Sequence, residues 1–173
     1  MDFFTLMQNR RSVRAYLPKA VDQQRLDAIL EAANRAPSAG NLQSYEICVV
    51  TRRSALRDLA RASLDQAFIA EAPLALIFIA NPTRAAAKYG RRGSSLFSIQ
   101  DATIACTYAQ LAATALGLAT VWIGAFDEST VRKIIGVTRD SVPVAILPIG
   151  YAGEEPEATS RRSLAALVNY MMD

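Results

Sequence analysis

Arg10-Arg11-Ser12-Val13-Arg14 places three guanidinium groups and a hydroxyl within five residues, directly after an apolar segment containing Phe3, Phe4, Leu6 and Met7. A guanidinium fork matches phosphate oxygens bidentately and stays charged at any working pH, so the cluster suits a phosphate. A second stretch, Pro37-Ser38-Ala39-Gly40-Asn41-Leu42-Gln43, is small, polar and glycine-containing. Such a loop lets backbone donors approach a flat ligand closely. Together the two point to a bound phosphorylated cofactor. Each also has a plainer explanation: cations at the end of a first helix complement its dipole, and Pro-Ser-Ala-Gly-Asn is ordinary turn chemistry.

The rest of the composition narrows the chemistry. There is no histidine, which removes every Ser-His or Cys-His catalytic arrangement. Two cysteines, Cys48 and Cys106, sit among apolar residues and form no Cys-x-x-Cys, so zinc and iron–sulfur sites are not expected. They suit buried thiols in a reducing compartment. The dinucleotide fingerprint Gly-x-Gly-x-x-Gly and the P-loop are both absent, so a nucleotide must be held another way. The net charge is +3, with 19 basic residues of which only Lys19, Lys88 and Lys133 are lysines. That arginine preference fits phosphate or carboxylate recognition, while the scatter of charge along the chain argues against a nucleic-acid surface.

The elements that must position these residues can be placed from pattern. At 173 residues the chain is expected to be one domain, spanning residues 1–173. Asp22 suits an N-cap for a helix with Leu26, Ile29, Leu30 and Ala33 on one face, which must stop before Pro37. Tyr45 to Thr51 and Leu74 to Ala80 suit strands, and between them Ser54 can cap a basic helix carrying Leu56, Leu59 and Ala60. Ser98-x-x-Asp101 resembles a capping box that starts a central helix. From Ala102 to Phe126 there is no charge, a length that could span a bilayer. Its Thr103, Thr107, Tyr108, Gln110, Thr114 and Thr120, with Gly117 as a helix stop, favour instead a fully buried helix over 102–116 and a buried strand over 120–123. A helix apolar on nearly every face must be covered all round, in part by a second subunit. Asp127 suits the cap of a helix with Val131, Ile134 and Ile135, ended by Gly136. Val142 to Tyr151 predicts a strand broken by Pro143 and Pro148, and Leu164 to Met171 a closing helix. Few strands, several helices and no βαβ alternation predict α+β, with helices around one mixed or antiparallel sheet.

The Arg10–Arg14 cluster followed by Ala36-Pro37-Ser38-Ala39-Gly40-Asn41-Leu42-Gln43 resembles the start of the nitroreductase family of FMN enzymes. The resemblance continues in order through Ala72-Pro73-Leu74, Tyr89-Gly90-Arg91-Arg92-Gly93, Ser98-Ile99-Gln100-Asp101 and Ala115-Leu116-Gly117-Leu118. It then runs through Trp122-Ile123-Gly124-Ala125-Phe126, Pro148-Ile149-Gly150-Tyr151 and Arg161-Arg162-Ser163-Leu164, covering nearly the whole chain. The short, single-domain members are the most similar.

The resemblance implies an intertwined homodimer with FMN at its interface. In it Arg10, Arg11 and Ser12 hold the phosphate and ribityl chain, and Arg14 lies near the pyrimidine side of the ring. There a cation stabilises the charge of the reduced flavin and raises its potential. Gly124 and Ala125 present backbone donors toward flavin N5, with Ile123 beside them in the cofactor site. Arg161 or Arg162 completes the phosphate site, and Pro37, Ser38, Asn41 and Gln43 close over the ring from the other subunit. Gln66 meets the flavin edge, and Tyr89 to Gly93 forms part of a substrate rim. The implied activity is ping-pong hydride transfer from NADH or NADPH through flavin N5 to a nitroaromatic, quinone or similar small-molecule acceptor, with no general acid from the protein. Reductive dehalogenation, flavin-consuming chemistry, or flavin binding without turnover are the alternatives. Met1-Asp2-Phe3-Phe4 lacks the pattern of a secretory signal, so a cytoplasmic location with no membrane partner is expected.

Overall fold

Polar side chains start four of the helices. Asp2 accepts the N–H groups of Phe4 and Thr5 (3.0 and 3.1 Å), Asp22 that of Arg25 (2.9 Å), Asn81 that of Arg84 (3.0 Å) and Asp127 that of Thr130 (2.7 Å). Each satisfies donors that the first helical turn leaves unpaired. The computed structural model describes residues 2–171. In chain order its elements are α1 (Phe3–Asn9), α2 (Gln23–Asn34), β1 (Tyr45–Val50), α3 (Arg53–Ala62), α4 (Phe68–Glu71), β2 (Leu74–Ala80), α5 (Pro82–Arg92), α6 (Ser98–Ala115), β3 (Ala119–Thr120), α7 (Glu128–Ile135) and β4 (Val142–Gly150).

The four strands form one antiparallel sheet in the order β1-β2-β4-β3, as the α+β expectation allowed. All seven β2 residues are buried, because helices cover both faces. Leu74, Leu76, Phe78 and Ala80 pack with Leu147 and Ile149 on the side of α2 and α6. Ala75, Ile77 and Ile79 pack with Ile146, Leu56, Leu59 and Val131 on the side of α3 and α7.

The prolines do not break β4. Pro143 falls at a bulge opposite Ile79, where the register against β2 shifts. The β3 register pairs Thr120 with Ile149 and Ile123 with Ile146, so Pro148 stands opposite Val121. Its nitrogen has no hydrogen to donate there. The expected strand over 120–123 is therefore a two-residue ladder, a gap at the proline, and one further bridge at Ile123.

Three other expectations are corrected. Ser54 does not cap α3, which starts at Arg53 behind Arg52 without a side-chain cap. Ser98 and Asp101 do not form a capping box, because α5 runs through a single π turn (Gly93–Phe97) directly into α6. Ser98 Oγ donates back to the Ser94 carbonyl at 3.0 Å instead. Within one chain the 102–116 helix buries the stripe Ala102, Ala105, Cys106, Ala109 and Ala113 and leaves Thr107 and Tyr108 exposed, a face for which a second subunit was the expected cover. Leu164 to Met171 contains only a 3-10 turn, Leu164–Ala166, with every residue of the segment exposed. No described helix is long and apolar enough to cross a membrane.

Two glycines shape the approach to the site. Gly90 adopts φ 53°, ψ −142°, a region closed to residues with a side chain, and kinks α5 just before its last two arginines. Gly40 has φ 55° and lies so close to α5 that an added Cβ would sit 2.3 Å from Tyr89 Oη and 2.7 Å from Lys88 Nζ.

Candidate functional site

The arginine segment is held as an extra strand-like piece on the sheet edge. Ser12 bridges Thr120 in parallel, and the Val13 N–H donates to the Thr120 carbonyl at 3.1 Å. On the other side the Leu17 N–H donates to Tyr151 and the Gly153 N–H to Ala15. Tyr16, buried beneath, donates its hydroxyl to the Val13 carbonyl at 3.1 Å. Burial first, and Glu154 second, push the Tyr16 phenol up, so it stays a neutral donor. The Arg14 N–H donates to Glu154 Oε1. These ties fix the backbone from which the guanidinium groups project.

Those groups converge on a cleft of about 640 Å³ lined by Arg10, Arg11, Ser12, Arg14, Arg161 and a wall at 156–159, with Phe4 and Met7 at one side. The wall (Pro156, Glu157, Ala158, Thr159) carries no phosphate-binding signature and was not foreseen from sequence. Among the described residues none of the four arginines is in an ion pair. Arg11 Nη1 donates to the carbonyls of Gln8 and Arg10, closing the end of α1. Arg161 Nη1 donates to Thr159 Oγ1 at 2.8 Å, which steadies it toward the cleft. Arg162 instead turns away and donates to the Ala166 carbonyl. Burial lowers the Arg10 guanidinium from its ordinary range, and the charges of Arg161 and Arg11 lower it further. This crowd of cations gains from an anion among them.

The structure does not bring the 37–43 loop to this cleft within one chain. Pro37 and Ser38 line a separate, mainly apolar cleft of about 470 Å³ with Ala39, Phe97, Gln100 and Ile104. Asn41 and Gln43 sit in the adjoining turn, both at positive φ (58° and 48°). Asp101 holds the loop. Only 2% exposed, it accepts the Ala39 N–H at 2.9 Å and the Ser44 N–H at 3.2 Å, while Ser38 Oγ accepts the Gln43 N–H at 2.9 Å. Sequence pattern assigned Asp101 to its own helix; its partners lie about sixty residues away.

The third group is Gln66 with Ile123, Gly124 and Ala125. Ile123 is buried in the core, leaving only its backbone to act. Gly124 and Ala125 emerge exposed after it. The Asp127 N–H donates to the Ala62 carbonyl at 2.8 Å, which sets the 62–66 loop beside this segment. Gln66 Nε2 there donates to the Ser63 carbonyl at 2.8 Å.

Flavin mononucleotide fits the donor set: a phosphate dianion among unpaired guanidinium groups and a hydroxyl, with apolar side chains beside it for a ring. Among the described residues there is no cluster of acids, cysteines and histidines that could hold a metal.

A model of the nitroreductase family matches residues 7–81 and 61–151. The NADH dehydrogenase of Thermus thermophilus is 31% identical, aligned over 97% of this chain and 95% of its own length. An FMN reductase [NAD(P)H] of Bacillus subtilis is 29% identical over 86% of this chain and 65% of its own. Among solved structures, an FMN-dependent nitroreductase from Clostridium difficile R20291 superposes with a TM-score of 0.79 at 30% identity, covering 91% of this chain and 92% of that one. The fold, its arginine-lined cleft and these likenesses agree: the chain belongs to the nitroreductase family.

Proposed function

We propose that the chain works as a homodimer that holds FMN at the subunit seam and passes reducing equivalents from NAD(P)H to a small acceptor such as a quinone or nitroaromatic. The coarser part follows from the family: an NAD(P)H oxidoreductase with FMN as its cofactor. The observation that carries the finer reading is the cleft ringed by Arg10, Arg11, Arg14 and Arg161, none of them in an ion pair among the described residues.

When bound, FMN supplies a two-electron relay between the nicotinamide and the acceptor. The chain's own residues do the rest. Arg10 and Arg161 neutralise the phosphate, and the Ser12 hydroxyl adds a donor. Arg14, exposed on the lining of the same cleft, offers a cation to the electron-rich edge of the ring. The amides of Gly124 and Ala125 donate to no described residue, so they are free for the ring nitrogen where electrons enter and leave. Gly124 carries no side chain to obstruct that approach. Pro37, Ser38, Asn41 and Gln43 close over the ring from the second copy; none of them lines the arginine cleft of its own chain. No histidine is present to serve as a general acid.

The dimer rests on unpartnered apolar surface at both ends of the chain. Phe4 is 71% exposed at the cleft, and Leu164 and Tyr170 are 76% and 81% exposed on a tail with no packing of its own. A second copy is the natural cover for such a tail. Gel filtration with visible spectroscopy and an NADPH oxidation assay tests the reading. A yellow dimer that oxidises NADPH with menadione supports it. A colourless monomer that does not take up added FMN overturns it.

A further inference from the structure

The segment 72–100 contains four cations, Arg84, Lys88, Arg91 and Arg92, and no acidic residue. All four are exposed, and none is in an ion pair among the described residues. Two of them lean on the loop that closes over the ring, and a third on the apolar wall beside it. Arg84 Nη1 donates to the Gln43 carbonyl at 3.2 Å. Lys88 Nζ lies 2.7 Å from where a Cβ of Gly40 would be. The Arg92 guanidinium stands 5.5 Å from the centre of the Phe97 ring, itself edge-on to Tyr89 at 5.1 Å. Phe97 lines the apolar cleft with Pro37 and Ser38. A flat apolar wall is thus bordered by exposed cations that have no anionic partner among the described residues and that do not line the arginine cleft.

We propose that Arg84, Lys88 and Arg92 bind the phosphate groups of the nicotinamide dinucleotide, and that the reductant is NADPH in preference to NADH. This rests on the reading that the 37–43 loop covers the flavin of the partner copy. The reductant must visit that face in every turnover, and it brings a pyrophosphate beside the nicotinamide. NADPH adds a 2′-phosphate, so it carries the greater negative charge to a rim of exposed cations, where the nearest carboxylate, Asp101, is buried in the cleft and engaged by the Ala39 and Ser44 N–H groups. Guanidinium and ammonium groups on phosphate give charge-assisted hydrogen bonds, and at exposed positions they are weakened by salt.

The test uses the FMN-loaded dimer with menadione as a neutral acceptor. The double variant Lys88→Gln, Arg92→Gln is compared with wild type using NADPH, NADH and 1-benzyl-1,4-dihydronicotinamide, a reductant without phosphate. We expect wild type to favour NADPH in kcat/KM by about tenfold, and the variant to raise KM for NADPH by about tenfold with little change in kcat. The rate with the phosphate-free reductant falls far less than the kcat/KM for NADPH. Calorimetry with adenosine 2′,5′-bisphosphate gives a second readout, a weakening of about tenfold in the variant. Lys88→Arg with Arg92→Lys restores both.

Unchanged KM and unchanged bisphosphate binding overturn the proposal. So does an equal loss with the phosphate-free reductant, which would mean the rim acts through shape. A KM rise confined to an anionic acceptor would assign the charges to the oxidant and likewise overturn it. A wild-type preparation that holds FMN but favours NADH sinks this inference alone, whereas one that holds no flavin sinks the proposed function with it.

Discussion

Asp101→Asn replaces one carboxylate oxygen by an amide nitrogen at a site where two backbone N–H groups converge. The carboxylate accepts from Ala39 at 2.9 Å and Ser44 at 3.2 Å. The amide can keep one of these bonds but must present its NH2 to the other donor. The lost bond was to a charged acceptor, worth about 1.5–3 kcal/mol, and the stranded buried N–H costs about 1–3 kcal/mol more. At 2% exposure water does not reach the group to compensate. The sum, about 2.5–6 kcal/mol, is a large part of the stability of an ordinary domain.

The chain has a cheaper way out than unfolding. Ala39 to Gln43 already holds three positive-φ residues, and releasing the loop from Asp101 frees Ser44 to find water. We expect the measured loss of unfolding free energy to fall below the full sum. The remainder should appear as rapid amide exchange at residues 39–44 and weaker FMN binding. Urea denaturation, hydrogen exchange and an FMN fluorescence titration, on the same preparations, read all three. A variant within about 0.5 kcal/mol of wild type in stability, with native exchange at 39–44 and unchanged FMN affinity, would show that Asp101 does not hold the loop.

Four further outcomes are expected. Arg161→Ala weakens FMN binding by about 10- to 100-fold, the worth of a charge-assisted bond, while Arg162→Ala changes it less than about twofold; equal effects in the titration would refute the assignment. Gly40→Ala costs about 1–2 kcal/mol for its left-handed φ, plus displacement of the Tyr89 hydroxyl, and a denaturation midpoint equal to wild type would contradict the close approach. Asp127 is held below the ordinary carboxylate range by its hydrogen bonds to Thr130 and Ser129. Its contribution to stability is therefore present at neutral pH and lost as pH falls through its folded-state value; the gap between wild type and Asp127→Asn should close on acidification below about pH 4, and a constant gap argues against it. Burial pushes the Cys106 thiol well up, so an uncharged maleimide should label it only after denaturant is added, and fast labelling mapped to Cys106 rather than to the half-buried Cys48 in the native protein would exclude the buried placement.

Where an element is decided by neighbours in sequence, the residues announced it. Asp22 and Asp127 are caps because the N–H groups they bond lie three residues on, and β2 reads as a strand because an unbroken apolar run between turn residues has few other fates. Arg161 was on the page only as one of two arginines, since which one faces the cleft depends on Thr159 and on the turn at 164–166. What escaped was decided at a distance. Asp101 looks like a cap partner from its spacing, and only the tertiary fold delivers Ala39 and Ser44 to it. Pro148 looks like a break, yet the sheet confines its missing donor to the single position opposite Val121. The closing helix failed for a simpler reason: Leu164 to Met171 has no surface in this chain to pack on, and a short isolated helix is marginal in water. The rim cations on α5 were visible as residues, but their link to Gly40 and Gln43 is a packing fact.

The kink at Gly90 and the π turn that follows it make α5 and α6 one rod with a re-aimable elbow. Everything that shapes the mouth above the loop hangs from that elbow, whereas the arginine cradle is anchored to the far edge of the sheet. Side chains can change between Gly90 and Ser98, and the mouth be reshaped, without touching any residue that lines the arginine cleft. A scaffold divided in this way can change what it reduces while keeping what it reduces with.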